Sequence, residues 1–143
     1  MGYRMLLAFL MLGGAGTPAL AEFCGSPPIA PVLASADEMK QKSARDAATA
    51  KHDAFVEIRT WQSDLKTYRA CLVNIVNQNK RDIATLDPVK DADKIKGVQS
   101  SAKAANHAYD ATVDMEERVV NEFHAVQAAY CARTDVDKSS CPK

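Results

Sequence analysis

The four cysteines are the residues of this chain whose chemistry is easiest to anticipate. They are Cys24, Cys71, Cys131 and Cys141. An even number of cysteines favours disulfide bonds in an oxidising compartment, and no C-x-x-C motif is present that would indicate thioredoxin-type redox chemistry or haem attachment. The nine residues between Cys131 and Cys141 can fold back on themselves, so this pair is the disulfide that we expect first.

The second pair, Cys24 with Cys71, is limited by distance. A straight helix from Ser35 to Cys71 is about 54 Å long, whereas the segment from Cys24 to Ser35 spans at most ~36–40 Å. Cys24 therefore reaches Cys71 within one chain only if that helix is broken, which we place near residues 47–52. Otherwise Cys71 is free or bonded to Cys24 of a second copy.

Neither a metal site nor a catalytic site is expected. His52 and His124 fall at one level of the two predicted helices but point away from their shared face, and His107 lies far from both. Glu116 occupies a position facing the other helix, near the level of Thr60, where it can pair with Arg59. We expect no catalytic role for it, because no second acid, base or nucleophile converges on it. We therefore predict no catalytic, cofactor-binding or metal-ligating residue, no cofactor and no enzymatic activity.

The first long helix must carry Cys71. A capping box formed by Ser35 and Glu38 predicts a start near residue 36, and the helix should continue to about residue 84. Apolar residues recur along it at alternating spacings of three and four, which places them on one side of the helix. These positions are Ile58, Trp61, Leu65, Tyr68, Leu72, Ile75 and the polar Asn79.

The second long helix should follow a turn at Pro88, which is tolerated in the first turn of a helix. It is predicted over about residues 88–132 and has its own row of residues at spacings of three and four. They are Ile95, Val98, Ala102, Ala105, Tyr109, Thr112, Glu116, Val119, Phe123, Val126 and Tyr130. Aromatic residues in both rows indicate core packing rather than a ligand slot.

Two such helices predict an all-α fold. We expect a long, coiled-coil-like antiparallel hairpin of two helices. Because a lone hairpin buries only one stripe on each helix, we expect a dimer that completes a four-helix bundle or a longer coiled coil.

The N-terminus resembles a secretory signal peptide. Arg4 precedes an apolar run over residues 5–12, and the small residues 19–21 form an A-x-A cleavage site. We expect cleavage after Ala21, which gives an exported protein that begins at Glu22.

The remaining chain is expected to form one domain. Lys plus Arg number 18 and Asp plus Glu number 18, so there is no basic excess to favour nucleic acid. The predicted segments are the signal peptide (1–21), an extended Pro-rich leader (22–34), the helical hairpin (35–134) and a polar C-terminal tail (135–143). After signal cleavage we expect no stable membrane insertion.

Several short motifs are shared with one group of proteins. They are the Cys-then-proline leader (Cys24, Pro27, Pro28, Pro31), the D-E-M helix start (37–39), the Y-R-A-C-L motif (68–72) and a Tyr-rich second helix. In these features the chain resembles small exported α-helical proteins of alphaproteobacteria, which are mostly uncharacterised. The resemblance implies a periplasmic location and supplies no activity or site.

The sequence thus predicts a non-enzymatic exported protein of the cell envelope. It would act through protein–protein contacts as a structural, adaptor or chaperone-like component, with a second copy or another envelope protein as its partner. The alternative is a periplasmic bundle that binds a small molecule or a metal in a cavity between its helices.

Overall fold

The computed structural model describes residues 23–142, and the predicted signal peptide lies outside them. Within this range the chain forms three helices, α1 (Ala36–Gln41), α2 (Ala44–Thr85) and α3 (Ala92–Cys131), and no strand. The two long helices pack against each other. The predicted all-α fold class is therefore confirmed.

The first helix is short and has the predicted capping box. The Ser35 hydroxyl accepts a hydrogen bond from the Glu38 backbone N–H, and the Glu38 carboxylate accepts one from the Ser35 N–H. These bonds satisfy backbone donors that a helix leaves open at its start, and they also hold the pKa of Glu38 below its usual range. However, α1 ends at Gln41 after six residues.

The prediction of one helix over about residues 36–84 is wrong, because a second helix start interrupts it. Lys42 and Ser43 have extended backbone conformations, and the Ser43 hydroxyl accepts from the Asp46 backbone N–H at 3.1 Å. Ser43 also donates to the Asp46 carboxylate. This N-cap gives the chain a local alternative to continued helix. The break lies just before the predicted interval of residues 47–52.

The break allows the leader to turn back along α2. Cys24 forms a disulfide with Cys71 in the same chain, with the two Cα atoms 5.7 Å apart. Between these ends, Trp61 Nε1 donates a hydrogen bond to the Pro28 carbonyl, and Leu33 packs against buried residues of the helices. The leader thus becomes a third layer over the helix pair rather than a free extension.

The tail is closed by the second disulfide. Cys131 is bonded to Cys141, the pair expected first, and no cysteine is free. Arg133 binds this end of the protein to α1, since its guanidinium donates to the Met39 carbonyl at 2.7 Å and to the Asp135 carboxylate. This ion pair lowers the pKa of Asp135 through the hydrogen bond from Arg133.

The core lies between α2 and α3 in three groups. Near the disulfide-closed tail it contains Met39, Ala47, Val126, Ala129 and Tyr130; centrally Ile58, Trp61, Leu65 and Val119; and further along Tyr68, Leu72 and Ala105. Of the other predicted contact residues, Ile75, Tyr109 and Phe123 are partly buried against these groups. No helix among the described residues is long and apolar enough to cross a membrane.

The connection between the long helices occupies residues 86–91, so α3 starts at Ala92 and not near residue 88. The Asp87 carboxylate accepts hydrogen bonds from the backbone N–H groups of Lys90 and Val89, which lower its pKa. Asp87 therefore organises the turn that precedes α3, rather than capping the helix itself.

Candidate functional site

A polar cluster crosses the interface of α2 and α3. Arg69 donates through Nε to the Thr112 hydroxyl at 2.8 Å and through a terminal nitrogen to the Glu116 carboxylate. The other oxygen of Glu116 accepts from Gln62 at 2.8 Å. The predicted pairing of Glu116 with Arg59 is therefore wrong, and its partner is Arg69.

This cluster joins the two long helices through side-chain hydrogen bonds. The side chains of Arg69 and Glu116 are 17% and 26% exposed, so the pair is held partly out of water. The Arg69 guanidinium also lies 5.6 Å from the centre of the Tyr109 ring. Both carboxylate oxygens of Glu116 accept a hydrogen bond, one from Gln62 and one from Arg69. A cluster of this kind fixes how two helices are rotated and aligned.

Replacing Arg69 by Met should lower the free energy of unfolding by about 2 kcal/mol, because Glu116 loses its cation in a partly dry site. The double change Arg69→Met with Glu116→Leu should recover much of this loss. Chemical denaturation of the three proteins measures the effect. Lys94→Ala is the control, since Lys94 is 72% exposed in its pair with Asp91 and should matter by less than about 0.5 kcal/mol. Equal losses in the single and double variants would contradict this account.

The three histidines, His52, His107 and His124, are all exposed on the long helices. Across residues 23–142, no group of three or more His, Cys, Asp or Glu side chains is arranged to hold a metal ion.

One groove lies between the long helices and the C-terminal tail. Its volume is about 380 Å³. Phe55 and Phe123 face each other there, with ring centres 6.3 Å apart. Lys51 is already engaged: it donates to the Ser140 hydroxyl at 2.6 Å and lies 4.4 Å from the centre of the Tyr130 ring. We call this the tail groove. The ammonium group of Lys51 mainly holds the C-terminal tail in place there.

A second groove, which we call the leader groove, lies where the leader crosses α2 and has a volume of about 530 Å³. Its lining residues are Pro28, Ile29 and Pro31 from the leader and Val56, Glu57, Thr60, Trp61 and Asp64 from α2. Trp61 is only 4% exposed, while Ile29 is 93% exposed. The indole therefore forms the floor and Ile29 stands at the rim.

Four of the large exposed apolar side chains belong to the leader or line the leader groove. Phe23, Ile29, Val32 and Val56 are 73%, 93%, 94% and 47% exposed, and we call these four residues the leader face. The remaining large exposed apolar residues are scattered along the helices and their connection, at Phe55, Val73, Val89 and Val113. Single exposed apolar residues are ordinary, but several within one short segment, as in the leader, indicate a contact surface.

The charged residues that line the leader groove are both acidic. Glu57 and Asp64 line the leader groove, and Asp53 lies one helical turn before Glu57. The leader itself has no charged residue between positions 23 and 34. Among the described residues, none of these three carboxylates forms an ion pair.

No protein-family model matches the chain, and neither a curated protein nor a solved structure matches it. The leader face therefore has to be interpreted from its own chemistry. Sequence reasoning missed it because the prolines predict an extended leader without indicating which helix it covers. The signal that was available is the apolar content of a leader flanked by a cysteine.

Proposed function

We propose that this is a non-enzymatic exported protein that acts through protein–protein contacts in the cell envelope, as a structural, adaptor or chaperone-like component. The observation that supports this most is the leader face. Its apolar side chains are presented to solvent on a backbone that is tied down by the Cys24–Cys71 bond and by the hydrogen bond from Trp61 to Pro28. A rigid apolar surface binds with a smaller loss of conformational entropy than a mobile one.

Export to the periplasm is part of the proposal. Its support is the pair of disulfides, which persist in oxidising compartments, together with the predicted signal peptide. The resemblance to small exported helical proteins of alphaproteobacteria is consistent with the same location.

We further propose that α2 and α3 form an antiparallel hairpin. In support, Lys51 near the start of α2 contacts Tyr130 near the end of α3, whereas Arg69, further along α2, contacts Thr112, earlier in α3. If the partner is a second copy, two hairpins would pair into a four-helix bundle. Light scattering on the purified protein tests whether two copies pair, because a dimer doubles the measured mass.

A photo-crosslinking amino acid in place of Val32 tests the proposed function. Expressed in cells, this variant should give one crosslinked product with a protein partner, because Val32 is 94% exposed on the leader face. The same substitution at Val89, which is 85% exposed in the connection between the helices, is the matched control and should give none.

The rival function is binding of a small molecule or a metal in a cavity of the bundle. Native mass spectrometry of the protein purified from envelope extracts tests it directly. A stoichiometric bound molecule, combined with no crosslink at Val32, would contradict protein contact as the function and support the rival.

A further inference from the structure

We propose that the leader groove docks a basic, apolar segment of a partner protein, in which a large apolar side chain is flanked by Lys or Arg. This inference rests on the proposed function and names the chemistry of the partner. It depends on two properties of the groove that coincide at one place: an apolar floor and an acidic rim.

The apolar part of the groove has room for a side chain from another molecule. Trp61 lies at the floor, and the prolines of the leader form one wall opposite Val56. Ile29, at 93% exposure, has almost no contact with its own chain. An apolar side chain entering here would cover Ile29 and Val56 together, which removes apolar surface of both molecules from water.

The acidic residues beside the groove determine which charge the partner segment must carry. Asp53, Glu57 and Asp64 are separated by four and seven residues, so they lie on one side of α2. Arg59 and Lys66 each follow an acid of this row by two residues and therefore lie outside the row, although Arg59 neighbours Val56 three residues before it. All three carboxylates are exposed and form no ion pair within the described chain. They therefore attract Lys or Arg and repel acidic segments.

The same charges argue against other occupants. Anionic lipid headgroups and nucleic acid phosphates would be repelled by the acidic row. The C-terminal tail of the protein is not available, because Cys141 is bonded to Cys131 and Lys51 is bound to Ser140. A partner segment with Lys or Arg beside Leu, Ile or Val meets both requirements of the groove.

The only tryptophan of the chain provides the measurement, because Trp61 lies under the groove. The probe is a short peptide of alternating Leu and Lys, added to the full chain with both disulfides intact. We expect a saturable change in Trp61 emission, with a dissociation constant of about 10 µM. The affinity should fall about fivefold between roughly 50 and 300 mM NaCl. A peptide of alternating Leu and Glu should give no saturable change.

Three variants locate the binding. Ile29→Ser should weaken the Leu–Lys peptide about tenfold by removing an apolar contact. Glu57→Gln with Asp64→Asn should weaken it about fivefold and flatten its dependence on salt. Val89→Ser, the matched control, should bind as the unaltered protein does. Circular dichroism of each variant establishes that the helices are retained.

The outcomes separate the possible occupants. Equal binding of the Leu–Glu peptide, or unaltered binding by Ile29→Ser, would overturn the proposal. Binding to vesicles of phosphatidylglycerol in preference to the Leu–Lys peptide would overturn it in favour of a membrane surface. A doubled mass in light scattering that is lost in Ile29→Ser would overturn it too, and would assign the groove to a second copy. A crosslink at Val32 without preference for the basic peptide would leave the proposed function standing and remove only this inference.

Discussion

Replacing Cys24 and Cys71 by Ser should lower the free energy of unfolding by about 4 kcal/mol, from the loop entropy of a bond that spans 47 residues. The folded state should change as well, because the bond holds the leader against α2. Without it, the leader is retained by weaker contacts, of which the hydrogen bond from Trp61 to Pro28 is one. Urea denaturation followed by circular dichroism measures the stability, and a red shift of Trp61 emission reports release of the leader.

The other disulfide is the matched control. The bond between Cys131 and Cys141 spans 10 residues, so its removal should cost less, about 3 kcal/mol by the same reasoning. It lies at the tail, away from Trp61, and the tryptophan emission should not change. If this variant were the less stable of the two, or if loss of the Cys24–Cys71 bond left the emission unchanged, the leader would not be held as described.

The approximate positions of the long helices could be predicted from the local pattern of apolar residues. The position of the break between α1 and α2 could not. The distance from Cys24 to Cys71 predicted a break as the condition for an intrachain bond, and the structure meets that condition. From the sequence, this break is predicted near residues 47–52. The chain breaks instead at Ser43, where a hydroxyl accepts from the Asp46 N–H. The capping side chain of Ser43 therefore locates this helix boundary.

The leader groove and the polar cluster could not be predicted because both depend on how distant segments align. An error of a few residues in the pairing of two helices changes every contact between them. Arg69 lies ten residues beyond Arg59, which corresponds to almost three helical turns, and it is Arg69 that binds Glu116. Likewise, nothing local to Pro28 indicates that its carbonyl accepts from Trp61. The residues of both sites were visible in the sequence, but their partners were not.

Met39→Ala should destabilise the protein by about 3 kcal/mol, the cost of a cavity where a large apolar side chain was fully buried. Met39 is the only buried residue of α1 and is completely inaccessible to solvent. It packs with Val126 and Tyr130 of α3, and its carbonyl accepts from Arg133. Chemical denaturation measures the loss. Met39→Leu, which conserves volume, should cost less than about 1.5 kcal/mol, and a loss below about 0.5 kcal/mol for the alanine variant would mean that α1 is not anchored by this residue.

The same variant tests how the leader reaches Cys71. The direction in which the leader departs depends on the placement of α1, because the leader ends at the Ser35 cap of that helix. If Met39 holds α1 in place, then Met39→Ala and removal of the Cys24–Cys71 bond disturb one structural unit, and their combined cost should be smaller than the sum of the separate costs. A double-mutant cycle should give a coupling energy of about 1 kcal/mol. Strict additivity would mean that the disulfide alone positions the leader, and that α1 packs against the tail without directing it.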